Sequence, residues 1–282
     1  MKLSNGGEFT RFKAKTRFKT RKTKFFKDML DRQSRMCYNI RCELIYSVKN
    51  KGSGKMNYLF VVAHPDDEVL GAGGTIWKLA KQGNRVDVCI MSAKAQARAF
   101  RPENEELDAD MHTALKELGV SKLYEGDFPN IQMNTVPHLE LVQFIEKAIQ
   151  DSEAEVIVTH HPSDTNNDHL HTSLACQAAI RLFQRRAEMK PLKEFWFMEV
   201  LSSTEWSVNS AINKFVPNVF VEIGEDGLET KIKALSAYRG VMRAYPHPRS
   251  EEALRGLSAF RGAQAGCRFA EAFECVLRRI TL

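Results

Sequence analysis

Two segments of the chain combine histidine with aspartate in patterns that can hold a metal ion. The first, VVAHPDDEVLGAGG at 61–74, places one histidine and three consecutive carboxylates directly after an apolar run. The second, THHPSDTNNDHLHT at 159–172, also follows an apolar run and contains four of the eight histidines. A catalytic zinc ion typically takes three protein ligands of nitrogen and oxygen type and keeps an open position for water. The two segments together therefore predict a metal site.

The elements around these segments predict where the site lies. Residues 59–63 and 156–158 are typical of buried strands, and the carboxyl ends of parallel strands meet at one edge of an open α/β sheet. Three glycines within 71–74 favour a tight turn before a helix that starts near Thr75. A second helical pattern runs from about 174 to 183. Each motif is thus expected on a loop between a strand and a helix.

Three residues fit the ligand count of a catalytic metal site: His64, Asp67 and His169. Pro65 fixes its own φ and biases His64 toward extended geometry, which suits a rigid metal site. Asp-rich loops after strands also cap helices or lie in solvent, which is the ordinary alternative for HPDD. The second His and Asp cluster favours the metal site over that alternative.

The two motifs resemble those of the PIG-L or LmbE-like zinc-dependent N-acetylglucosaminyl deacetylases, over roughly 56–282. The resemblance implies a single Rossmann-like α/β domain with a mostly parallel sheet flanked by helices. It also implies that His64 and Asp67 of the HPDDE element bind the metal and that Asp66 serves as general base. The third ligand it implies is His169, which closes the NNDH element.

The chain departs from the resembled family at Asn166, where many members carry a histidine that stabilises the oxyanion or protonates the leaving amine. Asp164 and Asp168 are expected to orient the ligating imidazoles. Four other histidines are candidates for the missing role, although a single loop histidine is more often a surface group. These are His160, His161, His171 and His247.

Among these candidates, His171 and His247 are our predicted catalytic residues. Predicted substrate contacts are His161, Asn166 and Arg98. Arg98 lies in the basic segment SAKAQARAFR, and a guanidinium binds the phosphate of a sugar phosphate or nucleotide sugar in a bidentate manner. A solvated basic loop explains that segment equally well. The C-terminal YPHPRS and AEAFE elements resemble the tail of many bacterial members of the family, a region that closes over the pocket.

The predicted reaction is removal of an N-acetyl group from an amino-sugar substrate, a GlcNAc-type glycoconjugate or nucleotide sugar, by attack of a zinc-bound water. Fe²⁺ or another divalent ion would suit the same ligands. One alternative is a metal-dependent phosphoesterase, which usually needs more carboxylate ligands. Another is a catalytically silent sugar-binding protein of the same fold.

Charge divides the chain into two predicted regions. Residues 1–55 hold 16 Lys and Arg against 4 Asp and Glu, while 56–282 are long enough for one α/β domain. The basic region is expected to be a disordered extension or a misassigned start before Met56. Electrostatic binding to nucleic acid or an anionic membrane is the alternative for this region, and we expect no nucleic-acid binding by the folded domain.

Composition also bears on location. No apolar run is long enough to span a bilayer, and the N-terminus lacks the apolar region of a signal peptide. The six cysteines form no CxxC pair, which favours reduced thiols over disulfides. We therefore expect a cytoplasmic protein.

Overall fold

A seven-stranded sheet runs through the part of the chain that this computed structural model describes, residues 54–94, 103–208 and 214–280. The strands are β1 (Asn57–Val62), β2 (Arg85–Ile90), β3 (Lys122–Glu125), β4 (Val156–His160), β5 (Glu194–Met198), β6 (Val219–Glu222) and β7 (Ala270–Arg278). The helices are α1 (Asp67–Lys81), α2 (Asn104–Leu118), α3 (His138–Ser152), α4 (Asn167–Ala179), α5 (Leu182–Arg185), α6 (Gly224–Ala237) and α7 (Glu251–Ala265).

The strand order is β3-β2-β1-β4-β5-β7-β6. The pairs β3–β2, β2–β1, β1–β4 and β4–β5 are parallel, and β7 runs antiparallel to both of its neighbours. The Rossmann-like, mostly parallel sheet predicted from the sequence is therefore confirmed. The chain leaves β1 toward β2 on one side and later returns to form β4 on the other. This reversal between β1 and β4 is the place where open α/β sheets bind ligands.

Alternating side chains of β1 supply both hydrophobic cores. Phe60 and Val62 pack in the cluster formed with α1, α2 and α6, whereas Leu59 and Val61 pack in the cluster formed with α3 and α4. Because both faces of the central strand are covered, its sequence is continuously apolar rather than alternating. The sheet is thus a rigid middle layer, and polar residues first appear where β1 ends.

The prediction of a glycine-rich turn before Thr75 is wrong. α1 begins at Asp67, so all three glycines lie inside the helix. A Cβ atom at Gly71 would lie 2.5 Å from Sδ of Met198, and one at Gly74 would lie 2.8 Å from Cδ1 of Ile223. The glycines therefore let neighbouring elements approach the helix closely. This close approach outweighs the intrinsic helix penalty of glycine.

The second predicted helix also begins earlier than expected. α4 starts at Asn167 rather than near Leu174, and the side chain of Asn166 caps it by accepting the N–H of Asp168 at 2.9 Å. The helix start therefore places Asp168 and His169 in the first helical turn, close to the end of β4.

Some predictions fall outside the described residues. Arg98 is one of them, as is nearly all of the basic region 1–55, so the roles assigned to them stay predictions. Within the described ranges, no helix combines the length and apolar character needed to cross a membrane.

The space around Gly74 in α1 and Gly256 in α7 predicts opposite effects of alanine on stability. Gly74→Ala should lower the free energy of unfolding by about 1 kcal/mol, because overpacking against Ile223 costs about 1–3 kcal/mol and the gain in helix propensity offsets only part of it. Gly256→Ala in α7, with nothing within 4 Å of the added methyl, should raise it by up to about 1 kcal/mol. Urea denaturation followed by circular dichroism would measure both. Equal stability of the two variants would contradict the close packing.

Candidate metal centre

The junction between β1 and α1 presents three acidic side chains in different directions. Asp66 adopts a φ of 101°, a left-handed conformation that costs energy outside glycine and is found mainly where function requires it. α1 begins at the next residue, and the Oδ2 atom of Asp67 accepts the backbone N–H of His64 at 2.9 Å. The turn thereby directs Asp67 back toward His64.

One atom each from His64, Asp67 and His169 comes within 4.8 Å of the others, and all three residues are buried. Nδ1 of His64 lies 3.4 Å, and Nε2 of His169 lies 3.2 Å, from Oδ2 of Asp67. Two imidazole nitrogens and a carboxylate oxygen are the donor types that zinc accepts. The structure thus brings together the three residues predicted as ligands.

A carboxylate holds the outer nitrogen of each of these imidazoles. Nε2 of His64 lies 2.9 Å from Asp168, and Nδ1 of His169 lies 3.1 Å from Asp164. Such partners fix the ring orientation and make the facing nitrogen a better ligand. Asp168 is held in turn by the N–H of Met133 at 3.0 Å. The chain therefore supplies both the candidate ligands and the carboxylates that hold their rings.

The charges in this cluster favour a cation. Burial lowers the pKa of His169, but the charges of Asp67 and Asp164 and the hydrogen bonds with them outweigh burial and raise that pKa to about 10. Burial raises the pKa of Asp67, yet the charge of His169 and its hydrogen bond hold that pKa well below the usual range. The donor set therefore fits a divalent cation, because a positive charge is stabilised at the point where the three groups meet.

Glu68, the third acid of the motif, is separated from the other two. Its carboxylate accepts the hydroxyl of Tyr238 at 2.6 Å and the N–H of Asp66 at 3.1 Å. Burial, with a smaller contribution from the negative charge of Asp66, raises the pKa of Glu68 to about 8. Glu68 is therefore largely uncharged at neutral pH, and it supports the backbone of Asp66.

A cavity of about 440 Å³ opens onto this cluster. His64, Asp66, Asp67, Asn166 and His169 line it together. The lining also includes residues of the turn after β5 and of the segment between α6 and α7. The cavity volume lies within the range of small-molecule sites in proteins, about 300–1,000 Å³. A ligand in the cavity would contact the predicted base and the predicted metal ligands at once.

The structure places the four other candidate histidines away from the cavity lining. His160 lies beneath His169, with ring centroids 3.9 Å apart, and its Nε2 accepts the N–H of Ala63 at 2.8 Å. Burial is the main cause that lowers the pKa of His160 to about 3. His161 points the other way, toward Phe197 and Ser163.

The remaining two lie farther along the chain. His171 is half-buried on α4, and His247 is exposed with its Nδ1 accepting the N–H of Arg249 at 3.0 Å. Among the described residues that line the cavity, the histidines are His64 and His169. The catalytic roles predicted for His171 and His247 therefore have no support from the cavity geometry.

Sequence reasoning missed the contribution of the turn after β5. Ser203 donates its hydroxyl to Asp164, and Thr204 does the same at 2.7 Å. Ser202 and Ser203 both line the cavity. A signal was present, because the polar run SSTEW directly follows the largely apolar run FWFMEVL, as the two motifs follow theirs. In a parallel sheet, the end of the next strand faces the same site.

The motifs lie at the carboxyl ends of β1 and β4, as the resemblance implies. The family model described as GlcNAc-PI de-N-acetylase, PIG-L, matches residues 59–180. This part of the chain, which contains both motifs, is similar to that family.

Two relatives share this part of the chain. A 1D-myo-inositol 2-acetamido-2-deoxy-alpha-D-glucopyranoside deacetylase of Segniliparus rotundus is 27% identical over 158 residues, 44% of this chain and 50% of that protein. The uncharacterized deacetylase YaiS of Escherichia coli is 26% identical over 204 residues, 69% of this chain and 95% of that protein. The chain thus spans half of the first relative and nearly all of the second.

Solved structures share the fold. N,N'-diacetylchitobiose deacetylase from Pyrococcus horikoshii is 19% identical with a TM-score of 0.63, over 78% of this chain and 84% of that one. The 4-carboxy-2-hydroxymuconate hydratase GalB from Pseudomonas putida is 21% identical with a TM-score of 0.62, over 80% of this chain and 99% of that one. Because these names cover two reactions, the fold alone does not fix the chemistry.

The ligand geometry predicts that Asp67 is required for metal binding. Asp67→Ala should abolish stoichiometric zinc, because two imidazoles alone do not complete a three-ligand site. His169→Ala should behave in the same way. Inductively coupled plasma mass spectrometry after dialysis against zinc measures the metal content. Asp127→Ala, an exposed aspartate outside the cavity lining, is the control and should keep wild-type zinc. Full zinc content in Asp67→Ala would contradict the ligand set.

Changing a residue that orients a ligand should weaken zinc binding less than removing the ligand itself. Asp168→Asn keeps the side-chain shape and an oxygen for the N–H of Met133, but it loses the charge beside His64. Zinc affinity should fall by about 10- to 100-fold. Competition with a chromophoric chelator would give the affinity, and thermal unfolding would show that the fold persists. An unchanged affinity would show that Asp168 does not tune the ligand.

Proposed function

We propose that the protein is a metal-dependent hydrolase that removes an N-acetyl group from an amino-sugar substrate. The observation that carries the proposal is the position of Asp66, which lines one cavity together with the three residues His64, Asp67 and His169. A metal site used only for structure has no need of a carboxylate beside the ligands. The match of 59–180 to a family model described as a de-N-acetylase supports the same reaction.

His64, Asp67 and His169 would hold the metal, which we propose to be zinc, although Fe²⁺ suits the same donors. When bound, such an ion supplies a Lewis acid for the amide carbonyl and lowers the pKa of water. The chain provides the rigid geometry that this chemistry needs, because Asp164 and Asp168 fix the two imidazole rings.

Asp66 is the proposed general base. Its carboxylate takes a proton from the water molecule as the water oxygen bonds to the acetyl carbon. The bond between that carbon and the amide nitrogen then breaks, and Asp66 returns the proton to the departing amine. Acetate and a free amine are the products. One carboxylate can perform both transfers if it lies within hydrogen-bond reach of each atom.

Asn166 is the proposed contact for the acetamido group. Its side-chain oxygen accepts the N–H of Asp168, so its amide N–H groups remain as donors on the cavity wall. A donor at this wall would bind the acetyl oxygen as negative charge develops on it, which is a common source of rate enhancement. In this proposal Asn166 takes over stabilisation of the oxyanion, and Asp66 takes over protonation of the amine.

A GlcNAc-type sugar is the proposed substrate class. The relative from Segniliparus rotundus is named for a 2-acetamido-2-deoxyglucoside, and the neighbour from Pyrococcus horikoshii is named for N,N'-diacetylchitobiose. The cavity wall carries Asn130, Thr165, Ser202 and Ser203, whose polar groups suit sugar hydroxyls. The substrate is thus proposed to be a small acetamido sugar or glycoconjugate.

A two-metal phosphoesterase is less well supported. A second group, formed by His160, Asp164 and His169, also has atoms within 4.8 Å of one another. However, Nε2 of His160 accepts the N–H of Ala63, and Asp164 already accepts bonds from Ser203 and Thr204. Asp164 is thus committed to the fold, and a two-metal phosphate site usually needs more carboxylate ligands than this group supplies. The geometry therefore favours a single ion.

The proposal predicts acetate release from an N-acetylhexosamine substrate. Zinc-loaded protein would be assayed with free, nucleotide-linked and lipid-linked N-acetylhexosamines, and acetate would be measured by a coupled enzymatic assay. Asp66→Asn should lower kcat by about 10²- to 10⁴-fold, because the base is lost while the shape is kept. Its zinc content should stay at the wild-type value.

Two outcomes would contradict this proposal in different ways. Wild-type protein that binds one equivalent of zinc but releases no acetate across the panel would exclude N-deacetylation of these sugars. Asp66→Asn that turns over at the wild-type rate would show that another group is the base. Chelation followed by zinc addition should remove and then restore activity in the wild type.

A further inference from the structure

A guanidinium reaches the predicted base from the segment between α6 and α7. Nη1 of Arg249 donates to Oδ2 of Asp66 at 3.3 Å, and Nε of Arg249 donates to Oγ of Ser202 at 2.8 Å. The carboxylate of Asp66 is 1% exposed, whereas the Arg249 side chain is 27% exposed and lines the cavity. Arg249 thus links the buried carboxylate of Asp66, after β1, to Ser202 in the turn after β5.

The segment that carries Arg249 is held at both ends. At its start, the N–H and Nε of Arg239 donate to Asp110 of α2 at 3.0 and 3.1 Å. At its end, Ser250 is buried and caps α7 by accepting the N–H of Ala253 at 3.1 Å. The backbone on either side of Arg249 is therefore fixed. At Arg249 itself, the carbonyl accepts the N–H of Arg243 at 3.2 Å and the N–H donates to Nδ1 of His247 at 3.0 Å.

We propose that Arg249 is a positioning residue that holds the Asp66 carboxylate in its catalytic orientation, an inference that rests on the proposed hydrolase function. Asp66 has a left-handed backbone, which must be held by its surroundings. Glu68 holds the backbone N–H of Asp66, and Arg249 holds its side chain. The two contacts hold Asp66 at its backbone and at its carboxylate.

The chemistry of arginine suits this role. Its planar guanidinium presents donors in fixed directions, so Nε can bind Ser202 while Nη1 binds Asp66. Nη1 and Nε each donate one hydrogen bond, so a single side chain contacts both groups. Lysine carries one compact charge on a flexible stem and reproduces the charge without the fork.

The same turn separates positioning of the base from positioning of the metal ligand. Ser202 bonds Arg249, whereas its neighbour Ser203 bonds Asp164, the carboxylate that orients His169. Loss of Arg249 should therefore disturb Asp66 and leave the ligands in place. This separation distinguishes Arg249 from a residue that only stabilises the fold.

The kinetic test compares Arg249→Ala and Arg249→Lys with the wild type, using the full chain loaded with zinc. Arg249→Ala should lower kcat by about 100-fold with little change in KM, because a misplacement near 1 Å has a cost of this size. The kcat of Arg249→Lys should lie between the kcat of Arg249→Ala and that of the wild type. Added guanidinium chloride at low millimolar concentration should restore part of the kcat of Arg249→Ala. Zinc content should be unchanged in every variant.

The matched control is Arg255→Ala. Arg255 lies on α7 and pairs with Glu229 and Glu251 outside the cavity lining, so the variant should keep wild-type kinetics and gain nothing from guanidinium. A large rise in KM with kcat unchanged in Arg249→Ala would mean that Arg249 binds substrate instead. Wild-type kcat in Arg249→Ala would overturn the proposal.

A structural measurement tests Arg249 even if no substrate is found. Crystal structures of zinc-loaded wild type and Arg249→Ala should show the Asp66 carboxylate in one orientation in the wild type and displaced or split in the variant. The positions of His64, Asp67 and His169 should match. An unmoved Asp66 carboxylate would overturn the inference whatever the activity. An inactive wild type with a displaced Asp66 in the variant would contradict the proposed function alone.

Discussion

A buried carboxylate must be compensated by positive charge and hydrogen bonds, and in this protein that carboxylate is Asp67. Its Oδ2 atom lies 3.4 Å from Nδ1 of His64 and 3.2 Å from Nε2 of His169, and the ring of His160 lies beneath that of His169. These rings come from the end of β1, the end of β4 and the first turn of α4. They can meet only because β1 and β4 are adjacent parallel strands, paired up to Val61 and Thr159. The strand order is therefore the condition on which the site depends.

Two further carboxylates connect the imidazole rings beside that oxygen to other parts of the fold. Asp164 links His169 to the turn after β5, and Asp168 links His64 to the backbone that follows β3. Elements that follow four parallel strands thus converge on two imidazole rings. Each ring has one nitrogen held by a carboxylate and the other directed at Asp67. A site of this kind is organised before any ligand arrives, which is what catalysis by electrostatic preorganisation needs.

The sequence predicted the parts of this arrangement that depend on local pattern. Apolar runs followed by His and Asp placed the motifs at strand ends, and the mostly parallel sheet followed from them together with the family resemblance. The three predicted ligands do converge in the structure. Glycine misled the prediction of α1, because a run of glycines permits either a turn or close packing, and only the neighbours Met198 and Ile223 decide between them.

Other features depend on contacts that no local pattern encodes. His160 and His161 are adjacent at the end of β4, so they point to opposite sides, and one lies beneath the site while the other packs against Phe197. To choose between them, one must know which side of β4 faces the site. Arg249 meets Asp66 across 183 positions of sequence. The segment that carries it begins where the N–H of Arg239 donates to Asp110, a contact that only the folded chain reveals.

The three adjacent acidic residues of this site lie in different environments. Asp66, Asp67 and Glu68 would repel one another if all three were charged in one environment. Instead, Arg249 pairs with the first, imidazoles surround the second, and burial favours the protonated form of the third. The left-handed backbone of Asp66 makes this division possible, because it turns the first two side chains apart at the start of α1. The energetic cost of that conformation is offset by contacts on both sides of Asp66, so the strain lies on the residue that is proposed as the base.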